Sequence, residues 1–369
     1  MSRESLKVCF VSLSAYGYFK QGAPFGGGAQ RQLYLLSQEL KDRFEVSFVV
    51  GNYGQPSVER RDGVTLYRAY KPDHQASFLT ELGSLGKLLA AMRRADADIY
   101  ICRDKPKKAA ILYSLTRLLR SKWVFNIAND ANLGRPSDSL PSPIRWIYNR
   151  AISEADTVIA QTDYQKSIVR SKYNGTATVV PNGYPPAQEH VPYDEREAMI
   201  WVGRLDRDQK RPHIFLDLAE KHPDAEFRLI GGSIDPQTDY SAQVCDRAQS
   251  MDNVTYVGRV APDAIHEEYR SAKALINTSV YEGFPNTFLE AWRYGTPVLS
   301  LDIDTGRYLG DEAIGYAQGD FDCLCSKMKE IANNPNRRRQ FGKVSQEYFN
   351  DNYQISHVAQ KYEEAIKSA

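Results

Sequence analysis

Two glutamates, Glu282 and Glu290, flank seven residues in the stretch Ser279-Val280-Tyr281-Glu282-Gly283-Phe284-Pro285-Asn286-Thr287-Phe288-Leu289-Glu290. Pro285 keeps Glu282 out of any helix, whereas Glu290 is predicted in the first turn of the amphipathic helix that follows. Loop and helix can then turn both carboxylates toward one cleft. Gly283 lets backbone approach a ligand closely, and the N–H groups from Asn286 onward, with the helix dipole, favour an anion such as a diphosphate. Thr287-Phe288-Leu289-Glu290 also fits a capping box, in which Thr287 caps the helix and Glu290 reaches back to it. On that reading Glu290 is structural.

A set of cations lies upstream. Gly203-Arg204 ends the apolar run Met199 to Val202, and Lys210-Arg211-Pro212 opens the next helical pattern, so Arg204 and Lys210 emerge at one strand-to-helix edge. Two cations there suit a diphosphate and offset charge growing on a leaving nucleotide. The plainer alternative is a solvated basic turn made of Arg204, Arg207, Lys210 and Arg211. Near the N-terminus, Gly22 and Gly26-Gly27-Gly28 separate a first strand from a helix starting around Ala29, a loop whose N–H groups can wrap a phosphate or a sugar hydroxyl. Its spacing is not that of a dinucleotide fingerprint. Asp302-Ile303-Asp304 has the form of a metal-binding D-x-D, but Asp96-Ala97-Asp98 and Asp206-Arg207-Asp208 repeat the form in the same chain. No metal site is expected.

These residues need a scaffold that repeats. Short apolar strands alternate with amphipathic helices from Lys7 through Val180, then again from Met199 through Ser300, with a Pro-containing polar stretch at Pro185, Pro186 and Pro192 between the two series. Such alternation predicts βαβ units and two doubly wound parallel sheets, with ligands outside the carboxyl ends of the strands. At 369 residues two domains are expected, over residues 1–186 and 187–350, with a closing helix over 351–369.

The block around Glu282 and Glu290 resembles the E-x7-E signature of family 4 glycosyltransferases, retaining enzymes of the two-domain GT-B fold that use nucleotide-activated sugars. Gly26-Gly27-Gly28-Ala29, Val180-Pro181-Asn182-Gly183 and Gly203-Arg204 with Lys210 are similar to other segments of that family, where Lys-Gly is frequent in place of Lys210-Arg211. The resemblance implies that Arg204 and Lys210 bind the donor diphosphate, Glu282 the sugar hydroxyls and Glu290 the ribose. It also implies that the stretch around Val260 holds the base through backbone atoms, that Gly27, Gly28, Gly203, Gly283, Phe284, Pro285, Asn286 and Thr287 line the donor site, and that the last helix crosses back to the first domain. Many relatives carry a histidine after the strand corresponding to Trp123 to Ile127; here Asn129 or Asp130 takes that place, and neither reproduces an imidazole. The expected activity is transfer from a nucleotide-diphosphate sugar to a glycan or lipid-linked hydroxyl, without an essential metal or other cofactor. An epimerase of the same fold and a catalytically silent sugar-nucleotide-binding subunit remain alternatives.

Lys+Arg 47 against Asp+Glu 46 gives no global basic field, which argues against a nucleic-acid partner. No apolar h-region follows Met1 and no apolar run approaches the ~20 residues that span a bilayer, so a cytoplasmic protein with five reduced cysteines is expected. Arg103, Lys105, Lys107 and Lys108 precede an apolar helix that ends in Arg117, Arg120 and Lys122, and Trp146, Ile147 and Tyr148 follow. That segment is read either as a peripheral contact with the anionic inner membrane face or as a core-packed helix with a solvated basic side.

Overall fold

The computed structural model describes residues 5–71, 78–134, 139–232, 239–309 and 315–369. The chain divides into two compact units, Met1–Gly183 together with Ile355–Ala369, and Tyr184–Gln354. Each is an α/β layer structure around its own sheet.

In the first unit the strands run in the order β3-β4-β2-β1-β5-β6-β7-β8. They are β1 (Lys7–Val11), β2 (Glu45–Val50), β3 (Val58–Arg61), β4 (Val64–Arg68), β5 (Ile99–Cys102), β6 (Lys122–Asn126), β7 (Thr157–Ala160) and β8 (Thr178–Val179). The central strands are nearly continuous apolar runs because both sheet faces are covered. Phe10, Phe48, Ile101, Val124 and Ile159 pack on one face beneath the helices Gly28–Leu40 and Ile355–Lys367. Cys9, Val11, Tyr100, Trp123 and Phe125 pack on the other, beneath Pro106–Leu119 and Ser142–Ser153. Burial pushes the Cys9 thiol up to about 12, so it is a packing residue.

The last helix is stitched into this unit: Asn126 Nδ2 donates to Tyr362 Oη at 3.1 Å, and Arg43 pairs with Glu363 at 2.5 Å. Gly183 meets it so closely that a Cβ there would lie 2.8 Å from Val358 Cγ2.

One strand departs from the expected all-parallel sheet. β3 pairs antiparallel with β4 through Asp62-Gly63, both at positive φ (50° and 82°), as a tight hairpin turn requires.

The second unit orders its strands β11-β10-β9-β12-β13, all parallel, as β9 (Met199–Arg204), β10 (Phe227–Gly232), β11 (Val254–Gly258), β12 (Ala274–Asn277) and β13 (Val298–Ser300). Successive strands leave β9 to one side as far as β11, and the chain then returns to β9's other flank with β12. The β9/β12 boundary is therefore the topological switch point, where open α/β sheets leave room for ligands. Gly231, at φ +147°, passes so near the neighbouring strand that a Cβ would sit 1.7 Å from Gly203 O, so the strand ends close up only with glycine there.

Candidate donor site

The residues after β9 and those after β12 meet at this switch point. Lys210 Nζ forms an ion pair with Glu282 Oε1, both side chains mostly buried. Arg204 is exposed and its Nη2 donates to Gln209 Oε1 at 3.1 Å. Gln209 Nε2 in turn donates to Tyr281 O at 3.1 Å, and Val280 N donates to Gln209 O at 2.9 Å. Thr278 Oγ1 bridges the two segments from beneath, donating to Lys210 O at 2.6 Å and accepting from Trp201 Nε1 at 2.9 Å. Arg204 and Lys210, from one segment of the sequence, and Glu282, from another, thus form one cluster.

Arg211 holds an uncommon backbone conformation for a residue with a side chain. It caps the helix Pro212–Lys221 at φ 49°, a region that favours glycine. The arginine is held there by its side chain, whose Nε donates to Thr278 O at 2.8 Å and whose Nη2 pairs with Asp302. Asp302 is occupied by that pair, and Asp304 Oδ1 accepts from Gly306 N at 2.9 Å, so both carboxylates of the D-x-D sequence have structural work.

The helix after Glu282 runs Asn286–Trp292, and Pro285 rather than Thr287 is its N-cap. The capping-box reading therefore fails: Thr287 is inside the helix, and Glu290 lies in its second turn, not its first. Glu290 is only 7 % exposed and accepts from Tyr269 Oη at 3.4 Å. Phe284 stands edge-on to Tyr308 and Tyr353, with ring centroids 5.0 and 5.2 Å away, so its side chain belongs to an aromatic core and only its backbone can serve a ligand. Gly283 O accepts from Tyr308 Oη at 3.1 Å, which fixes the loop carrying Glu282. Gly203 is the penultimate residue of β9, beside the cluster, whereas Val260 is half-buried two residues beyond β11. His213 is half-buried, with Nδ1 2.7 Å from Tyr240 Oη, and burial lowers its pKa.

In the first unit Gly27 and Gly28 are exposed at the start of the helix Gly28–Leu40. Asn129 accepts from Asn132 N in a short capping turn, and Asp130 accepts from Gln165 Nε2 at 2.9 Å. Both are thereby fixed in place. The same sheet edge holds a polar cluster that sequence reasoning missed. Arg103, expected on a basic surface, is only 3 % exposed and donates from Nη2 to Asn182 Oδ1 at 2.7 Å. Asn182 Nδ2 donates to Gln161 Oε1 at 3.1 Å, and Gln161 Nε2 to Ile127 O at 2.5 Å. The available signal was a cation directly after the fully apolar β5, at the β1/β5 switch point of the first sheet.

Sequence comparison decides the family. Residues 27–183 match the glycosyl transferase 4-like domain, and residues 196–334 match the glycosyl transferases group 1 domain. The chain belongs to the group 1, family 4-type glycosyltransferases. A curated relative, the O-antigen chain mannosyltransferase C of Escherichia coli, is 23% identical over 235 residues, 58% of this chain and 62% of the relative. The match thus spans under two thirds of that relative's length.

Two solved structures share the fold of this glycosyltransferase. A sucrose-phosphate synthase from Thermosynechococcus elongatus superposes with TM-score 0.78 at 18% identity, over 99% of this chain and 100% of the other. Anabaena HepE, solved with UDP and glucose, does so with TM-score 0.77 at 15% identity over the same shares. This is the GT-B architecture of two Rossmann-like domains. Among the described residues no helix is long and apolar enough to cross a membrane.

Proposed function

We propose that this glycosyltransferase moves a sugar from a nucleotide diphosphate to a hydroxyl of a glycan or lipid-linked acceptor, with retention of anomeric configuration and without an essential metal. The observation that carries the reading is the cluster of Arg204, Lys210 and Glu282 at the β9/β12 switch point. Arg204 and Lys210 oppose the negative charge that builds on the leaving diphosphate, the task a divalent ion performs in other transferases. Glu282 accepts hydrogen bonds from sugar hydroxyls and Glu290 from the ribose, while backbone groups of Gly203, Val260, Gly283, Asn286 and Thr287 line the donor. The anomeric carbon's bond to the phosphate oxygen breaks and a bond to the acceptor oxygen forms on the same face. The acceptor proton passes to the departing phosphate, so no protein nucleophile is needed. A neighbour of like fold that holds UDP and glucose, and a relative named for O-antigen mannosyl transfer, support this donor and acceptor class.

The acceptor is proposed to be presented on an anionic membrane. The adjacent helices Pro106–Leu119 and Ser142–Ser153 contain Lys107, Lys108, Arg117, Arg145 and Arg150, of which Lys108, Arg117 and Arg150 pair with the flanking Asp104, Asp156 and Glu154. Between them Tyr113, Arg117, Trp146, Arg150 and Glu154 line a depression of about 440 Å³, in which Arg150 pairs with Glu154 and Arg117 with Asp156, with Trp146 59% and Leu118 61% exposed. Apolar anchors among cations suit a headgroup layer.

The test is transfer from radiolabelled nucleotide-diphosphate sugars to an acceptor extract, with the product anomer read by proton NMR. Retention of the donor's configuration and full activity in EDTA are expected. An inverted product, a sugar isomerised without acceptor, or loss of activity to the chelator would contradict the proposal. Co-sedimentation with phosphatidylglycerol vesicles, lost in high salt and in Trp146→Ala, is expected in the same preparation. Equal binding to neutral phosphatidylcholine vesicles would remove the membrane part alone.

A further inference from the structure

We propose that Gln209 is a positioning residue that holds Arg204 ready for the diphosphate; this rests on the donor-site reading above. Gln209 uses every polar group it has, two within its own segment and two across to the segment after β12. Its N–H donates to Asp206 Oδ1 at 2.7 Å and its backbone O accepts from Val280 N at 2.9 Å. Its side chain accepts from Arg204 Nη2 and donates to Tyr281 O, each at 3.1 Å. The Tyr281 carbonyl is one peptide link from Glu282, so one amide side chain sets the place of Arg204 relative to the loop that carries Glu282.

The choice of an amide matters. Arg204 is exposed, and an exposed arginine samples many rotamers whose loss opposes ligand binding. A carboxylate at position 209 would also restrain the guanidinium, but it would neutralise the charge and compete with the diphosphate for it. The neutral Oε1 of Gln209 orients Arg204 while leaving its full positive charge for an incoming anion. Lys210, by contrast, is already paired with Glu282, whereas among the described residues Arg204 meets the neutral Gln209 and no carboxylate. The same side chain could not do this if its Nε2 were unanchored, and Tyr281 O supplies the anchor.

The experiment is calorimetric titration of the full chain with UDP, GDP and ADP, the tightest of the three being carried through Arg204→Ala, Gln209→Met, Gln209→Glu and the Arg204→Ala/Gln209→Met pair. Thermal midpoints are recorded alongside. Gln209→Met is expected to weaken the diphosphate by about 3-fold to 10-fold with little change in midpoint, since it removes one side-chain tether to a charged group. Gln209→Glu should weaken it at least as much. In the Arg204→Ala background, Gln209→Met should cost less than about 2-fold, because its effect passes through Arg204. Affinity unchanged in Gln209→Met, or a loss that adds in full to that of Arg204→Ala, overturns the proposal while leaving the donor site standing. Undiminished affinity in Arg204→Ala, or no binding of any of the three nucleotides to the unsubstituted chain, overturns the donor-site reading and this proposal with it.

Discussion

Lys210→Ala is expected to lower transfer turnover at least about a hundredfold, the scale seen when one preorganised group facing developing negative charge is removed. Lys210 is proposed to meet the diphosphate, and in the free protein its ammonium is already ordered by the ion pair with Glu282. On that proposal donor binding draws Lys210 onto phosphate and releases Glu282 toward the sugar hydroxyls, so the two charges exchange partners without either being left alone. The substitution has a second consequence that must be separated from the first. It strands a largely buried carboxylate, and an unpaired buried charge destabilises the fold. The double variant Lys210→Ala/Glu282→Gln removes that charge, so its thermal midpoint should return toward the parent value while turnover stays low. Recovery of turnover in the double variant would mean that Lys210 acts on the loop and not on the donor.

Glu290→Gln is the second large effect. The amide keeps the shape of a side chain that is 7 % exposed and can still accept from Tyr269 Oη, so folding should be nearly unaffected. On the proposed role it loses the negative charge of a hydrogen bond to the ribose, a bond worth ~1.5 to 3 kcal/mol when one partner is ionised. Donor affinity should fall by about 10-fold to 100-fold, with a midpoint within a few degrees of the parent. A lowered midpoint with unchanged affinity would make Glu290 a residue of the helix packing alone. The fact that Pro285, not Thr287, caps the helix already removes the capping box as a reason for a glutamate at this position.

The architecture was legible because parallel strands covered on both faces are short continuous apolar runs, and Lys7–Val11, Ile99–Cys102 and Thr157–Ala160 carry that pattern plainly. The hairpin of β3 and β4 escaped notice although Asp62-Gly63 is the dipeptide such turns favour; the polar β3, Val-Glu-Arg-Arg, lacks a strand-like alternation. Within the site, residue types were legible and partners were not. Lys210 meets Glu282 across 72 residues, as Gln209 meets Tyr281, and Arg103 meets Asn182 across 79. No local pattern encodes such pairings; the strand order does, by bringing the ends of β9 and β12, or of β5 and the segment after β8, to one edge. The same limit misassigned Arg103. Beside Lys105 and Lys107 it reads as part of a basic surface, yet the polar cluster with Asn182 and Gln161 supplies the hydrogen bonds that let a guanidinium be buried. Phe284 shows the converse, an apolar residue in the loop that carries Glu282 whose ring is taken by the aromatic core around Tyr308.

The most direct test of the donor site is a crystal structure with a nucleotide-diphosphate sugar bound. The diphosphate is expected within hydrogen-bonding distance of Arg204 and Lys210, with Glu282 turned from Lys210 toward the sugar and Glu290 on the ribose. A diphosphate bound elsewhere, with the Lys210–Glu282 pair intact, would contradict the assignment.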